Sequence, residues 1–166
     1  MMKICRSFRF SYLTYNKNKA KICGKIIIEN RNIKIGKNII LYGNVKFWGN
    51  GPITIGDNCK IGDNTMIYAS KNGGVHIGND SLIAANCYII DMNHGLSKEN
   101  IIMKNPCEVQ PVFVGDDCWI GEGSTLLKGT KLGKGTVVGA KSLVNHEFGD
   151  YKIIAGIPAK VLKERT

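Results

Sequence analysis

The sequence lacks the features of several large protein classes. Nowhere in its 166 residues does a run approach the about 18 apolar residues that a membrane-spanning helix needs. The N-terminal stretch interrupts its apolar residues with Arg6 and Arg9, which makes it a poor signal peptide. There is no Gly-x-Ser-x-Gly segment, no P-loop and no dinucleotide-binding fingerprint. We therefore expect a cytoplasmic protein of one domain, without serine-hydrolase or nucleotide-fold chemistry.

Acidic residues are scarce relative to basic ones. The 23 Lys and Arg residues outnumber the 13 Asp and Glu residues, which gives a formal net charge of +10. Lysines crowd the first third of the chain, notably at Lys17, Lys19, Lys21 and Lys25. This balance favours partners that carry phosphates, such as nucleic acid, an anionic membrane surface or a phosphorylated small molecule, although a solvated basic face also accounts for it.

A hexapeptide repeat runs through most of the chain, and its first position is always bulky and apolar. In order, these first positions are Ile35, Leu41, Phe47, Ile55, Ile61, Ile67, Ile77, Ile83, Ile89, Val114, Ile120, Leu126, Leu132, Val138 and Val144. The second position is often glycine, and the fifth is small or β-branched. A short strand would place the first residue inward, and glycine would tolerate the positive φ of a tight corner. Three such faces close a triangular coil, so the repeat predicts a β-helix.

The cysteines fit this repeat better than they fit a metal site or a disulfide framework. No two of the six form a Cys-x-x-Cys pair. Cys59, Cys87 and Cys118 each stand at the fifth position, where Ser, Thr or Val otherwise occur. We therefore expect them to be small, buried and reduced, as in a cytosolic protein.

The repeat breaks three times, and breaks in a solenoid mark loops. The longest break leaves an excursion of residues 91–111, a candidate functional loop. We expect a basic N-terminal segment of uncertain structure at residues 1–24 and the β-helix at residues 25–158. A short C-terminal helix is expected at residues 159–166, because Pro158 suits the first turn of a helix.

His94, in the segment IIDMNHG at the start of this excursion, is the candidate catalytic base. An imidazole suits general-base work because its ordinary pKa is about 6.5. A loop histidine that merely donates to a backbone carbonyl is the alternative. A zinc site formed by His76, His94 and His146 is a weaker one, because the three lie at different points of the broken repeat.

Two segments resemble the hexapeptide-repeat acyltransferases, on the branch of the sugar and capsule O-acetyltransferases. One is the tail VGDDCWIGEGSTLLKGTKLGKGTVVGAKSLVNHEFGDYKIIAGIPAKVLK, and the other is IGNDSLIAANCYIIDMNHG. In that family the catalytic histidine follows the leading isoleucine by 17 residues, and His94 follows Ile77 by 94 − 77 = 17. The resemblance spans roughly residues 30–164 and implies a left-handed parallel β-helix.

The resemblance also implies a site for acetyl-CoA, used as cosubstrate without a metal. Trp119 would line the groove beside the pantetheine arm, Gly139 and Ala140 would form its low wall, and Asn145 would contact it. The remaining matches concern the nucleotide end of the cosubstrate. Gly156 and Pro158 would form the turn beside the adenine, and Lys160 and Lys163 would approach the phosphates, although both could be solvated lysines of a terminal helix.

For the acceptor, a sugar or a surface-polysaccharide precursor, the candidate contacts are Asn64, Asn93, Asp91 and Glu122. Asp91 could instead orient the imidazole of His94. The resemblance implies a homotrimer with active sites between subunits and no nucleic-acid partner. A peripheral contact of residues 1–24 with a membrane surface is a separate hypothesis.

The function expected from the sequence is therefore direct transfer of an acetyl group to an acceptor hydroxyl, with His94 as base. Two alternatives remain. One is N-acetylation of a nucleotide-linked amino sugar with the same base and cosubstrate, and the other is a non-catalytic basic binding module. The excursion at residues 91–111 is expected to decide which acceptor is used.

Overall fold

The computed structural model describes residues 20–166. Within them, short strands wind into a β-helix with three parallel sheets, which we name A, B and C, and about seven turns. The chain visits the sheets in the order A, B, C on each turn. Lys17 and Lys19, with most of the basic N-terminal segment, lie outside the described residues.

Sheet A contains β1 (Lys21–Ile22), β4 (Ile40–Leu41), β7 (Lys60–Ile61), β10 (Leu82–Ile83), β15 (Trp119–Ile120), β18 (Val137–Val138), β21 (Lys152–Gly156) and β22 (Ala159–Glu164). Sheet B contains β2 (Ile26–Ile28), β5 (Val45–Gly49), β8 (Met66–Ala69), β11 (Tyr88–Ile90), β16 (Thr125–Leu126) and β19 (Leu143–Val144). Sheet C contains β3 (Ile33–Ile35), β6 (Ile53–Ile55), β9 (Val75–Ile77), β14 (Val112–Val114), β17 (Lys131–Leu132) and β20 (Glu147–Phe148).

The core confirms the repeat. Every first-position residue from Leu41 to Val144 is buried, and so is every fifth-position residue that the pattern singled out, including Cys59, Cys87 and Cys118. The fifth-position hydroxyls and thiols also have a polar task. Cys59 Sγ donates to the Gly78 carbonyl at 3.0 Å, and Ser81 Oγ donates to the Gly115 carbonyl at 3.0 Å, each on the next turn. A small donor at this position therefore satisfies a corner carbonyl that the strands leave free.

The explanation of the second-position glycines by positive φ was wrong. Left-handed φ occurs instead at the fourth position, at residues such as Asn58 (59°) and Asn64 (57°). The second-position glycines are needed because the next turn lies against them. A Cβ on Gly62 would come within 2.5 Å of the Ala85 nitrogen, and one on Gly121 within 2.5 Å of the Ala140 nitrogen. Close approach between turns, rather than backbone handedness, therefore selects glycine here.

The C-terminal helix was also wrong. Residues 159–164 form β22, which pairs antiparallel with β21, and Gly156 faces Ala159 across the hairpin. Pro158 stands in the turn of this hairpin and does not begin a helix. The physical reason is the free edge of sheet A: β21 is the last strand of the coil, and β22 satisfies its exposed backbone groups.

The coil also begins before the predicted boundary at residue 25, because β1 already pairs with β4 through Lys21 and Ile40.

All three breaks in the repeat fall at the corner between sheets B and C, which we name the B–C corner. They follow β5, β8 and β11, and the longest is the predicted excursion. This loop begins and ends in a small antiparallel hairpin of β12 (Met92–Asn93) and β13 (Glu108–Val109), and it contains a 3-10 helix at Ile102–Lys104. None of the helical segments described for residues 20–166 has the length and apolar character needed to cross a bilayer.

Candidate functional site

His94 lies at the base of the 91–111 loop, directly after β12, with its side chain exposed. Its Nδ1 lies 4.0 Å from Cys107 Sγ. Among residues 20–166, no protein group hydrogen-bonds to its Nε2. An exposed imidazole with one nitrogen available can accept a proton from a molecule bound beside the loop.

Cys107 is a residue of this site that the sequence did not reveal. It immediately precedes β13, and the register of the hairpin pairs Asn93 with Glu108, so the next pair outward is His94 and Cys107. A cysteine 13 positions away, inside a segment without repeat, gives no sequence signal of this contact. Only the pairing of the hairpin reveals it.

The carboxyl group of Asp91 has no hydrogen bond to the His94 ring within residues 20–166, so the structure does not give it the orienting role expected for it. Its side chain is fully buried and accepts hydrogen bonds from the Ser70 backbone N–H at 2.9 Å, the Ser70 hydroxyl at 3.1 Å and the Gly74 backbone N–H at 2.7 Å. Its backbone carbonyl accepts the N–H of Gln110 at 3.0 Å. Asp91 therefore ties the two ends of the long loop to the loop of the preceding turn.

The other two histidines contact other side chains. His76, on sheet C, stacks on Phe113 with ring centroids 4.8 Å apart, and its Nδ1 lies 2.8 Å from Thr54 Oγ1. His146 lies over Phe148 near the last turn. In the part of the chain that the structure describes, no three metal-binding side chains converge, so the geometry does not assemble the three-histidine zinc site.

Asn64, Glu122, Gly139 and Ala140 lie together at the corner between sheets A and B, which we name the A–B corner. Asn64 belongs to a column of side-chain hydrogen bonds: it accepts from Asn44 at 3.2 Å and donates to Asn86 at 3.3 Å. The column continues to Glu122, which accepts from Asn86 at 2.9 Å. The asparagine and the glutamate are thus already partnered within the corner.

Glu122 also pairs with Lys141, whose Nζ lies 2.9 Å from its Oε2. The hydrogen bonds from Lys141 and Asn86 lower the pKa of the Glu122 carboxyl, so it is anionic near neutral pH.

Gly139 and Ala140, at the same corner, present little side chain to solvent. An extended ligand could therefore lie close to the backbone there.

Trp119 stands on the outer face of sheet A, 53% exposed, between Leu82 and Val137 in the neighbouring strands. The C-terminal hairpin closes the same sheet and carries Gly156 and Pro158 in its turn. Lys160 and Lys163 are exposed on β22, and within residues 20–166 neither takes part in an ion pair. The edge of sheet A therefore offers an aromatic surface and two uncommitted cations.

The predicted site residues thus form two groups on different edges of the triangular coil. His94 and Asn93, with Asn145 after β19, lie at the B–C corner, whereas the predicted cofactor wall lies at the A–B corner and on sheet A. Sheet B separates the two corners by a face on the order of 15–20 Å wide. One chain alone does not bring His94 to the predicted cofactor wall.

The outer face of sheet B is aromatic where it meets the loop of His94. Trp48 and Tyr68 are neighbours in register with ring centroids 4.9 Å apart, and Lys46 Nζ lies 4.5 Å from the centre of the Trp48 ring. Burial raises the pKa of Tyr68, and the nearby charges of Asp91 and Cys107 raise it further. Tyr68 is in register with Ile90 of β11, directly before the loop that holds His94.

Comparison with protein families identifies the repeat itself. The profile of the hexapeptide repeat of succinyl-transferase matches residues 52–90, and the profile of the bacterial transferase hexapeptide with six repeats matches residues 111–146. The segment between the two matches is the long loop, in which the repeat is absent.

Two Escherichia coli (strain K12) proteins are similar in sequence. The chain is 38% identical over 125 residues to WbbJ, a candidate lipopolysaccharide biosynthesis O-acetyl transferase, which covers 70% of this chain and 63% of that protein. It is 30% identical over 133 residues to WcaF, a candidate colanic acid biosynthesis acetyltransferase, which covers 80% of this chain and 70% of that protein. The chain spans less than two thirds of WbbJ and only 38% of a matching Mycobacterium tuberculosis acetyltransferase.

Solved structures share the fold. AntD, an N-acyltransferase from Bacillus cereus solved with coenzyme A and dTDP-4-amino-4,6-dideoxyglucose, matches with a TM-score of 0.74 at 19% identity, over 95% of this chain and 89% of that chain. The hexapeptide-repeat acetyltransferase VCA0836 from Vibrio cholerae matches with a TM-score of 0.64 at 20% identity, over 99% of this chain and 84% of that chain. The repeat, the coil and the identity to WcaF together show that the chain belongs to the hexapeptide-repeat acyltransferase family.

Proposed function

We propose that the protein transfers an acetyl group from acetyl-CoA to a hydroxyl of a sugar or surface-polysaccharide precursor, with His94 as general base. The observation that carries the proposal is the exposed imidazole of His94, whose Nε2 lacks a protein partner among residues 20–166, at the base of the longest loop. The names of WbbJ and WcaF support an acetyl donor and a polysaccharide-related acceptor.

The chemistry follows from a direct transfer. His94 Nε2 takes the proton of the acceptor hydroxyl as its oxygen attacks the thioester carbonyl. The carbon–sulfur bond then breaks, and the departing thiolate receives the proton from the imidazolium. A positioned base of this kind contributes about 10²–10⁴-fold to the rate.

The cosubstrate would lie along the A–B corner, against the low wall of Gly139 and Ala140 and beside Trp119. Lys160 and Lys163, which have no ion-pair partner in the described part of the chain, would attract its phosphates. In this arrangement Gly156 and Pro158 flank the same ligand, whereas Asn145, at the B–C corner, would reach it only from a second copy of the chain.

A complete site then requires a second copy of the chain, because His94 and this wall lie at different corners. We propose a homotrimer in which the B–C corner of one subunit faces the A–B corner of the next. Co-expression of a His94→Gln chain with an Ala140→Trp chain tests it, since hybrid oligomers would regain sites in which both halves are intact. Activity no greater than that of either variant alone would contradict the shared site.

The acceptor class is tested by measuring CoA release from acetyl-CoA with a panel of sugars, their amino-sugar counterparts and nucleotide-linked amino sugars. We expect turnover with hydroxyl acceptors and a loss of about 10²–10⁴-fold in His94→Gln. His76→Gln is the matched control, because the ring of His76 is held on sheet C by Phe113 and Thr54. Turnover of amines alone would favour N-acetylation, to which the coil and the base are equally suited. No turnover and no acetyl-CoA binding by the wild type would leave a non-catalytic binding module.

A further inference from the structure

The Nδ1 atom of His94 faces a thiol. Cys107 Sγ lies 4.0 Å away, at the outer limit of a hydrogen bond to sulfur, and both residues are exposed. Sulfur is a weak hydrogen-bond acceptor as well as a weak donor. When one nitrogen of a neutral imidazole is held as a donor, the basic lone pair lies on the other, so the partner of Nδ1 decides whether Nε2 can act as a base.

We propose that Cys107 is the positioning residue of His94: its sulfur accepts a hydrogen bond from Nδ1–H and so leaves the lone pair on Nε2. The proposal rests on the proposed function, because it assigns His94 the task of a base. It makes Cys107 act through the imidazole, without contact to the reacting atoms.

The backbone holds the two residues opposite each other. The hairpin pairs Asn93 with Glu108, which makes His94 and Cys107 the next cross-strand pair, and side chains in such pairs lie within about 4.5–5.5 Å at Cβ. Glu108 is anchored in turn by Lys128, whose Nζ lies 3.0 Å from its Oε2. Gly95 is buried against the carbonyl of Pro106, where an added Cβ would approach to 2.5 Å. The closeness of imidazole and thiol is thus built into the base of the loop.

The acidic groups that could orient the imidazole in place of the thiol are engaged elsewhere. Asp91 is buried and accepts hydrogen bonds from Ser70 and Gly74. Glu108 is paired with Lys128. Tyr68, the other titratable neighbour of Cys107, lies on sheet B and has a pKa raised by burial, so it stays neutral. Within the described residues, Cys107 Sγ is the side-chain atom in hydrogen-bonding contact with Nδ1.

Cys107 also differs from the cysteines of the coil. Cys59, Cys87 and Cys118 are buried, and each donates its S–H to a backbone carbonyl of the next turn. Cys107 is exposed, and in residues 20–166 the only hydrogen-bonding contact of its sulfur is to His94. Its place in the fold is explained by the histidine and by nothing in the core.

A spectroscopic experiment tests the proposal without reference to activity. The ring nitrogens of the three histidines are followed by ¹⁵N NMR at pH about 8, where an ordinary imidazole is neutral, and His94 is assigned from the spectrum of His94→Gln. We expect His94 to carry its proton on Nδ1 in the wild type and in Cys107→Ser, and to move toward the Nε2–H form in Cys107→Ala. The same proton position in all three proteins would overturn the proposal.

Kinetics supply the second readout. With the acceptor identified, Cys107→Ala should lower kcat roughly 10-fold, a part of what a positioned base contributes, and should leave the KM for acetyl-CoA unchanged. Cys107→Ser should recover most of the loss, because a hydroxyl oxygen also accepts from Nδ1–H. Cys23→Ala, a change at the other exposed cysteine of the described residues, is the matched control.

Wild-type kcat in Cys107→Ala, or an equal loss in Cys107→Ser, would contradict the positioning role. If His94→Gln retained activity while the NMR result held, the proposed function would fail and the contact between Cys107 and His94 would stand.

Discussion

The A–B corner and the B–C corner are built from the same chain and the same repeat, yet they differ in the length of their turns and in the hydrogen bonding of their side chains. At the A–B corner each turn from Asn44 to Lys141 has one residue at left-handed φ, and a column of hydrogen bonds runs from Asn44 through Asn64 and Asn86 to Glu122. At the B–C corner three successive connections, after β5, β8 and β11, lengthen in order, and the third is the loop that holds a histidine and a thiol.

The difference shows that the regular and irregular corners of this repeat protein are suited to different functions. At a regular corner the polar groups of one turn hydrogen-bond to those of the next. Its side chains are therefore already paired, and they project little from the backbone. An irregular corner leaves the repeat and must be held by special contacts, such as the buried carboxylate of Asp91. A catalytic group can project from an irregular corner, whereas a regular corner offers a flat surface against which an extended ligand can bind.

The largest effect on stability should come from the support of the irregular corner. Asp91→Asn places an amide where a buried carboxylate accepts from Ser70 and Gly74, and an amide nitrogen cannot accept those hydrogen bonds. We expect a loss of about 3 kcal/mol in the free energy of unfolding, measured by urea denaturation. Asp116→Asn is the matched control at a regular corner, since its exposed oxygen only accepts from the Asn79 N–H and an amide oxygen does the same. Equal effects of the two changes would remove the distinction between the corners.

A smaller effect should follow from breaking the close approach of turns at a regular corner. In Gly62→Ala the new Cβ would meet the backbone of Ala84 and Ala85 at 2.5–2.9 Å, which we expect to lower the free energy of unfolding by about 1–3 kcal/mol.

Gly149→Ala is its control, because Gly149 follows Phe148 as Gly133 follows Leu132 in the paired strand, and a Cβ there meets nothing within 4 Å. It should stay within about 0.5 kcal/mol of the wild type in the same denaturation experiment. If both variants were equally stable, packing between turns would not be the reason for glycine.

These contrasts also mark what the sequence could predict. Bulky first positions and small fifth positions depend only on the local alternation of inward and outward side chains, so the coil, the buried cysteines and the position of the long loop were all predicted. The role of glycine was misassigned because the sequence identifies both Gly62 and Asn64 only as turn residues. The structure shows that Asn64 adopts the left-handed φ, whereas Gly62 lies too close to the next turn for a Cβ.

The C-terminal strand and the contact of Cys107 with His94 were missed for a related reason. Both depend on antiparallel pairing outside the repeat, between segments whose register no periodicity records. Pro158 suits a helix start as well as a hairpin turn, and only the open edge of β21 decides between them. His94 was predicted as the base from its place at the start of the longest break and from the family resemblance, whereas nothing in the sequence indicated its contact with Cys107.

The last effect concerns the thiols of the regular corners and is confined to high pH. Burial raises the pKa of the Cys118 thiol to about 11, from an ordinary value of 9.0, and Cys118 is only 1% exposed. Between pH about 9 and about 11 the unfolded chain loses this proton and the folded chain keeps it, so the folded state loses stability as the pH rises, by roughly 2–3 kcal/mol in all.

Cys118→Ser should remove that part of the alkaline decline, because a serine hydroxyl does not ionise there and can donate to the Gly133 carbonyl as Cys118 does. The difference between wild type and variant, followed by urea denaturation from pH 8 to 11, isolates the thiol from the tyrosines and lysines that titrate in both proteins. Cys107→Ser, at the irregular corner, should leave the alkaline decline unchanged, since its sulfur is exposed to solvent in the folded chain. Parallel behaviour of the two variants would mean that the fifth position of a regular corner does not shelter its donor from water.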